Sequence, residues 1–371
     1  MDEILKREEN NILNLRQLYG HYGYVHYKMN KFEEYDLYVA NKDFLVHNDI
    51  ITFTDTDGKL LALKPDVTLS IVKNYKDVPG TVQKVYYNEN IYRTSRNTKA
   101  YKEIMQMGLE CMGDLDLYQI SEVLMLAAKS LELLGGRYIL DLSHMGVLRG
   151  LLEALELDPG SEKQLFSFLR EKNCHGIREM GCKLGLSDPL TEKITALASS
   201  YGPISGMLEI LRSVCMNETM EQAAKELECI SGLLASQGIS DIHLDFSIVN
   251  DMSYYNGVLF QGYIAGIPSC VLSGGQYDIL MKKMGKSAGA AGFAVNLDLL
   301  EKLDPIQEHF DVDLLLLYDS SCPPERLMQA VNTFVKEGKR VQVQRQIPEK
   351  LRYRRLIKVT EGGWMELEGD H

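Results

Sequence analysis

The chain has 371 residues, 45% of them apolar and 25% charged, an ordinary globular balance that speaks against disorder, collagen or a membrane protein. At roughly 100–200 residues per domain, that length gives two domains, or three, with ample core. A net charge of −12 works against binding a long stretch of phosphate backbone, which calls for clustered Lys and Arg. A local basic patch stays open.

Seven cysteines (111, 174, 182, 215, 229, 270 and 322) include no CxxC pair, the pattern of reduced thiols in a cytoplasmic protein. The opening MDEILKREENN is charged from its second residue, and no stretch approaches the roughly 18 uninterrupted apolar residues of a spanning helix. Neither secretion nor a membrane location is expected.

Residues 4–19 have the spacing of an amphipathic helix. Residues 43–63 predict a hairpin around Asp57-Gly58, an Asp-Gly turn between β-rich apolar runs. Pro65-Asp66 opens a helix reaching Asn74. Strands are expected at 83–93 and 103–112, separated by a polar loop at 94–102. Apolar residues at 117, 120, 124, 127, 131 and 134 predict a helix from Asp116 to Leu134 that stops at Gly135-Gly136, in keeping with the 3.6-residue repeat.

A strand at 137–142 leads into a helix at 145–155, and residues 156–240 are almost wholly helical in pattern, an inserted helical subdomain. Strand signals return at 253–264 and 269–272, and a last helix at 293–303 closes a main domain set at 1–305. Residues 311–371 read as a small α/β unit with a strand at 312–318, a helix at 324–337, a strand at 340–343 and a basic tail. Its size is short for an independent domain.

The segment 103–112 carries the most chemistry. Alternation puts Met105, Met107, Leu109 and Cys111 on one face and Ile104, Gln106, Gly108, Glu110 and Met112 on the other, because successive strand side chains point to opposite sides. The first face is core. The second sets a Gln and a Glu around a glycine that admits a close neighbour, and a buried carboxylate there needs a partner. An internal salt bridge or a solvated outer face would explain the spacing as well as a site would.

Arg93, Arg96, Lys99 and Lys102 could hold an anion, or could simply be a solvated hairpin tip. Tyr254-Tyr255-Asn256-Gly257 and Ser273-Gly274-Gly275-Gln276-Tyr277-Asp278 pair flat apolar rings having polar tips with small residues, suited to enclosing a small amphipathic molecule. Residues 285–292 (GKSAGAAG) hold a Gly-Lys-Ser, but Leu280 stands where GxxxxGK[ST] needs its first glycine and there is no GxGxxG, so the stretch does not read as a nucleotide loop. There is no HExxH and no Cys/His set at metal spacing, so no metal or cofactor is expected. His144 reads more readily as a structural hydrogen-bonding residue than as a catalyst.

Taken in order, these pieces resemble the core of a class II aminoacyl-tRNA synthetase of the histidyl type, over roughly residues 4–305. YYNENIYRTSRNTKAYKEIMQMGLECMG (86–113) is similar to motif 2, including its Arg and a Q-x-G-x-E ending. LALKPDVT resembles L-x-L-R-P-E-x-T, DMSYYNGVLF resembles R-G-L-D-Y-Y-x-x-x-x-F, SGGQYDIL resembles G-G-R-Y-D-x-L, and GFAVNLDLL resembles the motif 3 text G-F-A-x-G-L-E-R-L. The fold implied is α+β, a class II synthetase-like antiparallel sheet flanked by helices, with a helical insertion and a small, truncated C-terminal α/β unit. By matching positions the resemblance implies a histidine pocket. Asp66, Thr68 and Gln106 would lie near the ammonium and Glu110 with Tyr255 near the imidazole, while Tyr254 and Tyr277 would complete the wall.

The departures shift the expected function. The motif 3 arginine that lies along ATP is Leu299, the arginine before the Tyr pair is Asn250, the motif 2 glutamate is Ser95 and the motif 1 proline is Asn30. No aliphatic side chain replaces a nucleotide-binding arginine, and losing one electrostatic helper costs about 10²–10³ in rate. Of the ATP arginines only Arg93 survives, a candidate anion ligand.

A histidine-binding fold with a broken ATP site resembles the family of ATP phosphoribosyltransferase regulatory subunits, which serve the first step of histidine biosynthesis. That resemblance implies a chain without catalytic residues that activates a short-form catalytic subunit and transmits inhibition by L-histidine. It also implies a homodimer within a cytoplasmic hetero-octamer that binds no tRNA. An active histidyl-tRNA synthetase and a stand-alone synthetase-like aminoacyl transferase are the alternatives. The basic run 350–358 (KLRYRRLIK) reads as a solvated face that could also dock an anion or an acidic partner.

Overall fold

The computed structural model describes residues 7–45, 50–94, 100–249, 254–303 and 310–369. Chain contacts divide it into two units, Met1–Leu303 and Asp304–His371.

The first unit is built on the long strands Val82–Thr94 and Tyr101–Gly113, paired antiparallel from Val82 opposite Gly113 to Thr94 opposite Tyr101. They sit in a nine-stranded sheet whose order is Val25–His26, Val82–Thr94, Tyr101–Gly113, Gly289–Asn296, Leu272–Gln276, Val258–Ile264, Tyr138–His144, Ile242–Asp245 and Tyr201–Pro203. The alternation expected for 103–112 is present. Met107, Leu109 and Cys111 are buried in the larger apolar cluster, together with Leu124, Ala127 and Leu131 of the helix Leu117–Gly135.

That helix starts where a capping box forms. The Asp116 side chain accepts from the backbone N–H of Tyr118 and Gln119, while the Gln119 side chain accepts from the N–H of Asp116, satisfying donors that a helix start otherwise leaves open. On the opposite face of the sheet lie Gln106, Gly108, Glu110, Gly292 and Gly275, neighbours across the strands by register.

Four sequence expectations shift. Residues 293–296 are strand, not helix: Gly289–Asn296 runs through the middle of the sheet, and a 3-10 turn starts only at Leu297. Small residues buried on both faces give no amphipathic period to read. The 43–63 hairpin is shorter. Its strands are Thr52–Thr54 and Leu60–Leu63, joined by Phe32–Glu34 in a separate three-stranded sheet, and residues 46–49 lie outside the described residues.

The region 156–240 contains five helices, but also the strand Tyr201–Pro203, which pairs with Ile242–Asp245 at the edge of the main sheet. Leu165, Leu169, Ile194, Leu211 and Leu227 of those helices join the same apolar cluster as the sheet. In the second unit, Val312–Leu317 and Val341–Gln344 are parallel strands linked through the helix Pro324–Lys336. The basic run 350–358 enters another strand, Tyr353–Thr360, with Leu356 and Ile357 buried, paired antiparallel to Gly363–Gly369.

Candidate functional site

Glu110 is the centre of the site. It is only 2% exposed, and both carboxyl oxygens accept hydrogen bonds: Oε1 from the Thr68 hydroxyl at 2.7 Å and Oε2 from the Tyr277 hydroxyl at 2.5 Å. Burial pushes its pKa up to about 8 in spite of those donors, and the nearby Asp66 charge adds to the rise. Room for the carboxylate comes from the opposite strand. A Cβ on Gly292 would sit 1.8 Å from Glu110 Oε2, so no other residue fits there without displacing it.

The tyrosines form one wall. Tyr254 stacks on Tyr255 with ring centroids 4.3 Å apart and lies 5.9 Å from Tyr277 and 5.5 Å from Phe44. Tyr255 lies over Gly275, where a Cβ would meet its ring at 2.6 Å. Burial raises the phenol pKa of all three tyrosines, and the Glu110 charge raises each further, so each stays a neutral hydroxyl able to donate.

Asp66 and Arg93 form the charged end. The Arg93 Nε–H donates to the Pro65 carbonyl at 3.0 Å, and Asp66 Oδ1 accepts from the Leu69 N–H at 2.9 Å. Both groups are half-buried. Burial raises the Asp66 pKa and lowers that of Arg93, and each charge opposes the shift of the other, as nearby opposite charges do. Gln106 is fixed by donating from Nε2 to Asn296 Oδ1 at 2.8 Å, which leaves its amide oxygen as an acceptor.

The structure thus gathers Asp66, Thr68, Glu110, Tyr254, Tyr255 and Tyr277 through the contacts and charge couplings given above, with Arg93 beside Asp66 and Gln106 on the same sheet face as Glu110. Thr68 reaches Glu110. Asn250, Ser95, Arg96 and Lys99 lie outside the described residues. Leu299 packs half-buried against the large apolar cluster, and Asn30 is exposed. His144 caps the helix Met145–Leu155, its Nδ1 accepting from the Gly146 N–H at 3.0 Å and its Nε2 meeting Glu226 at 3.2 Å. Both ring nitrogens are therefore engaged structurally.

Three features escaped sequence reasoning. Lys64 is fully buried and pairs with Glu89 at 3.1 Å. Asn296 holds Gln106, and Asp278 gathers four hydrogen bonds behind the tyrosines. Only the last is signalled locally, by its place in SGGQYD. Among the described residues no group of three or more His, Cys, Asp or Glu could hold a metal, and no helix is long and apolar enough to cross a membrane.

A long, mostly antiparallel sheet flanked by helices, of α+β class, is the architecture of the class II aminoacyl-tRNA synthetases. The sequence model of the histidyl-tRNA synthetase family matches residues 2–300, and the chain belongs to that family. Within it, the chain is similar to the ATP phosphoribosyltransferase regulatory subunit of Oceanobacillus iheyensis, 29% identical over 336 residues covering 89% of this chain and 82% of the relative. The corresponding subunit of Clostridium acetobutylicum is 28% identical over 349 residues, covering 90% and 85%.

Among solved structures, an ATP phosphoribosyltransferase regulatory subunit/histidyl-tRNA synthetase from Bacillus halodurans superimposes with a TM-score of 0.75 at 26% identity, over 91% of this chain and 88% of that one. An ATP phosphoribosyltransferase complex from Thermotoga maritima shares the fold, with a TM-score of 0.61 at 19% identity over 77% and 96%.

Proposed function

We propose that this chain is a non-catalytic regulatory subunit of ATP phosphoribosyltransferase. In this reading it acts at the first step of L-histidine biosynthesis, activates a short-form catalytic subunit and binds L-histidine as the feedback signal. The likeness to curated regulatory subunits over most of both chains supports it, as does the solved complex of that fold.

The observation that carries it is the contrast between two parts of one site. The groups suited to an amino acid are assembled around Glu110 and Asp66, while the position of the motif 3 arginine holds Leu299, half-buried against the apolar core. Histidine enters with its imidazole toward Glu110 and Tyr255 and its ammonium toward Asp66. Its carboxylate goes to Arg93, whose Nε is anchored on Pro65 while the terminal nitrogens carry the remaining donors.

Adenylation is absent in this reading, and no tRNA is bound. The synthetase-like domain, 1–305, holds the ligand, and residues 311–371 form a separate small unit. The chain works in the cytoplasm as a homodimer within a hetero-octamer of regulatory and catalytic chains. Pyrophosphate exchange with histidine and ATP tests the catalytic half of the proposal. No exchange above background is expected, and turnover on the order of 1 s⁻¹ overturns it in favour of an active synthetase.

A further inference from the structure

Behind the tyrosine wall lies a knot of hydrogen bonds that touches neither Glu110 nor Asp66. Asp278 Oδ2 accepts from Asn256 Nδ2 at 2.7 Å and from Gln276 Nε2 at 2.8 Å, Asp278 Oδ1 accepts from the Ala290 N–H at 2.9 Å, and the Asp278 N–H donates to Asn256 Oδ1 at 2.7 Å. The backbone reinforces it: the Asn256 N–H donates to the Gln276 carbonyl at 3.1 Å, and the Tyr277 N–H donates to the Ala290 carbonyl at 2.8 Å. Gln276 reaches the knot only because residue 257 is glycine, where a Cβ would lie 2.0 Å from Gln276 Oε1.

Each side-chain member of the knot is a chain neighbour of a pocket residue. Asn256 follows Tyr254-Tyr255, Gln276 precedes Tyr277, and Asp278 follows it. We propose that Asp278 is a positioning residue of the ligand pocket. It ties the turn carrying Tyr254 and Tyr255 to the residue carrying Tyr277, and so sets the gap between the tyrosine rings and Glu110 that an imidazole must fit. The inference rests on the reading of this pocket as a histidine site.

The physical ground is the asymmetry of satisfied and unsatisfied donors. A carboxylate accepts on both sides and meets donors on both: two side-chain amides on one, a backbone N–H on the other. A carboxamide at 278, whichever way it turns, sets a donor against a donor on one side, and an unmade bond costs more than a made one gains. The turn at Asn256 is then released relative to Tyr277. Exchanging the two groups restores the match once the Gln276 amide turns its oxygen inward: a carboxylate at 256 accepts from the carboxamide at 278 and from the backbone N–H there, and that carboxamide donates its second N–H to Gln276 Oε1.

The test uses the full chain in three forms: wild type, Asp278→Asn, and Asp278→Asn with Asn256→Asp. Calorimetric titration with L-histidine reads affinity. Fluorine spectra of protein labelled with 3-fluorotyrosine, with positions 254, 255 and 277 assigned by single Tyr→Phe changes, read the wall directly. Asp278→Asn is expected to weaken histidine binding on the order of tenfold in the folded fraction and to shift those three resonances. The exchanged pair is expected to return affinity to within about threefold and to restore the spectrum.

Where Asp278→Asn does not fold, Asn256→Ser removes the tie while leaving the carboxylate and is expected to act in the same direction. Wild-type affinity and unchanged resonances in the folded variants overturn the proposal. So does an exchanged pair that recovers melting temperature without recovering affinity. A wild type that binds no histidine overturns the pocket reading instead, and the fluorine spectra still decide whether Asp278 positions the tyrosines.

Discussion

The Tyr277 hydroxyl, just past the end of a strand two places along the sheet, donates to Glu110 Oε2 at 2.5 Å, 167 residues away in sequence. The carboxyl is thus held by a phenol that stays neutral, and burial lifts its own pKa to about 8. Burial therefore favours a proton on Glu110 near neutral pH, where one of the two neighbouring hydroxyls turns to accept it, and histidine arriving with a neutral imidazole finds one proton to share.

That gives the pH profile of binding a definite shape. Below the imidazole pKa of about 6.5 the ligand must shed a proton to match the pocket. Above about 8 Glu110 has lost its own. Affinity is expected to peak between the two and to fall on either side, approaching tenfold per unit. Glu110→Gln removes the alkaline limb, and titration calorimetry from pH 6 to 9 checks both limbs. Glu110→Ala weakens binding by roughly ten- to a hundredfold, the cost of a charge-assisted hydrogen bond, and leaves a folded protein.

The Asp66–Arg93 pair predicts selectivity for the amino-acid end of the ligand. Arg93→Ala is expected to lower histidine affinity while barely changing that of histamine, which lacks the carboxylate. Asp66→Asn lowers both, because both carry the ammonium. Equal losses for the two ligands in Arg93→Ala would remove the carboxylate from that position.

Lys64 offers a stability test away from ligand chemistry. Its ammonium is fully buried against Glu89 at 3.1 Å, so Lys64→Met leaves a carboxylate without its partner and is expected to cost about 3–5 kcal/mol. Lys64→Met with Glu89→Leu recovers most of that loss in urea denaturation. If the double variant is no more stable than the single one, the pair is not the source of the effect.

Asp141 carries a pH-dependent stability. It is 7% exposed, its Oδ1 has no hydrogen-bond partner in the structure, and burial followed by repulsion from Asp245 pushes its pKa up to about 6, against a partial opposing effect of Lys172. The unfolded chain releases this proton near 3.8 and the folded chain near 6, so the folded state binds more protons between those values. Stability from this group therefore falls as pH rises from about 4 to 6. Asp141→Asn removes that slope and raises stability at pH 7 by about 1–3 kcal/mol. Denaturation of both proteins at pH 4.5 and pH 7 checks the sign.

Legibility in the sequence followed the range of the interactions. The face carrying Gln106 and Glu110 was readable because strand side chains alternate between faces and its polar pair contrasts with the apolar residues between them, and the helix 117–135 because its apolar stripe repeats at helical spacing. The strand Gly289–Asn296 was not, since alanines and glycines buried between neighbouring strands carry no periodic contrast. Asp66 and Thr68 entered the site through motif resemblance alone, while Arg93, Tyr254, Tyr255 and Tyr277 stood out by residue type and were joined to one ligand only by that resemblance. Nothing in their local spacing says that Thr68 and Tyr277 share one carboxylate, a relation that sheet register creates.

The central claim is that this chain regulates a partner enzyme in response to histidine. The measurement is the ATP phosphoribosyltransferase activity of a purified short-form catalytic subunit, titrated with this chain in the presence and absence of millimolar L-histidine, with solution mass recorded on the same mixtures. The account predicts a single larger species, activity that rises to saturation with added chain, and a histidine inhibition that Glu110→Ala relieves. Two separate species at micromolar concentration with unchanged catalytic activity would contradict it.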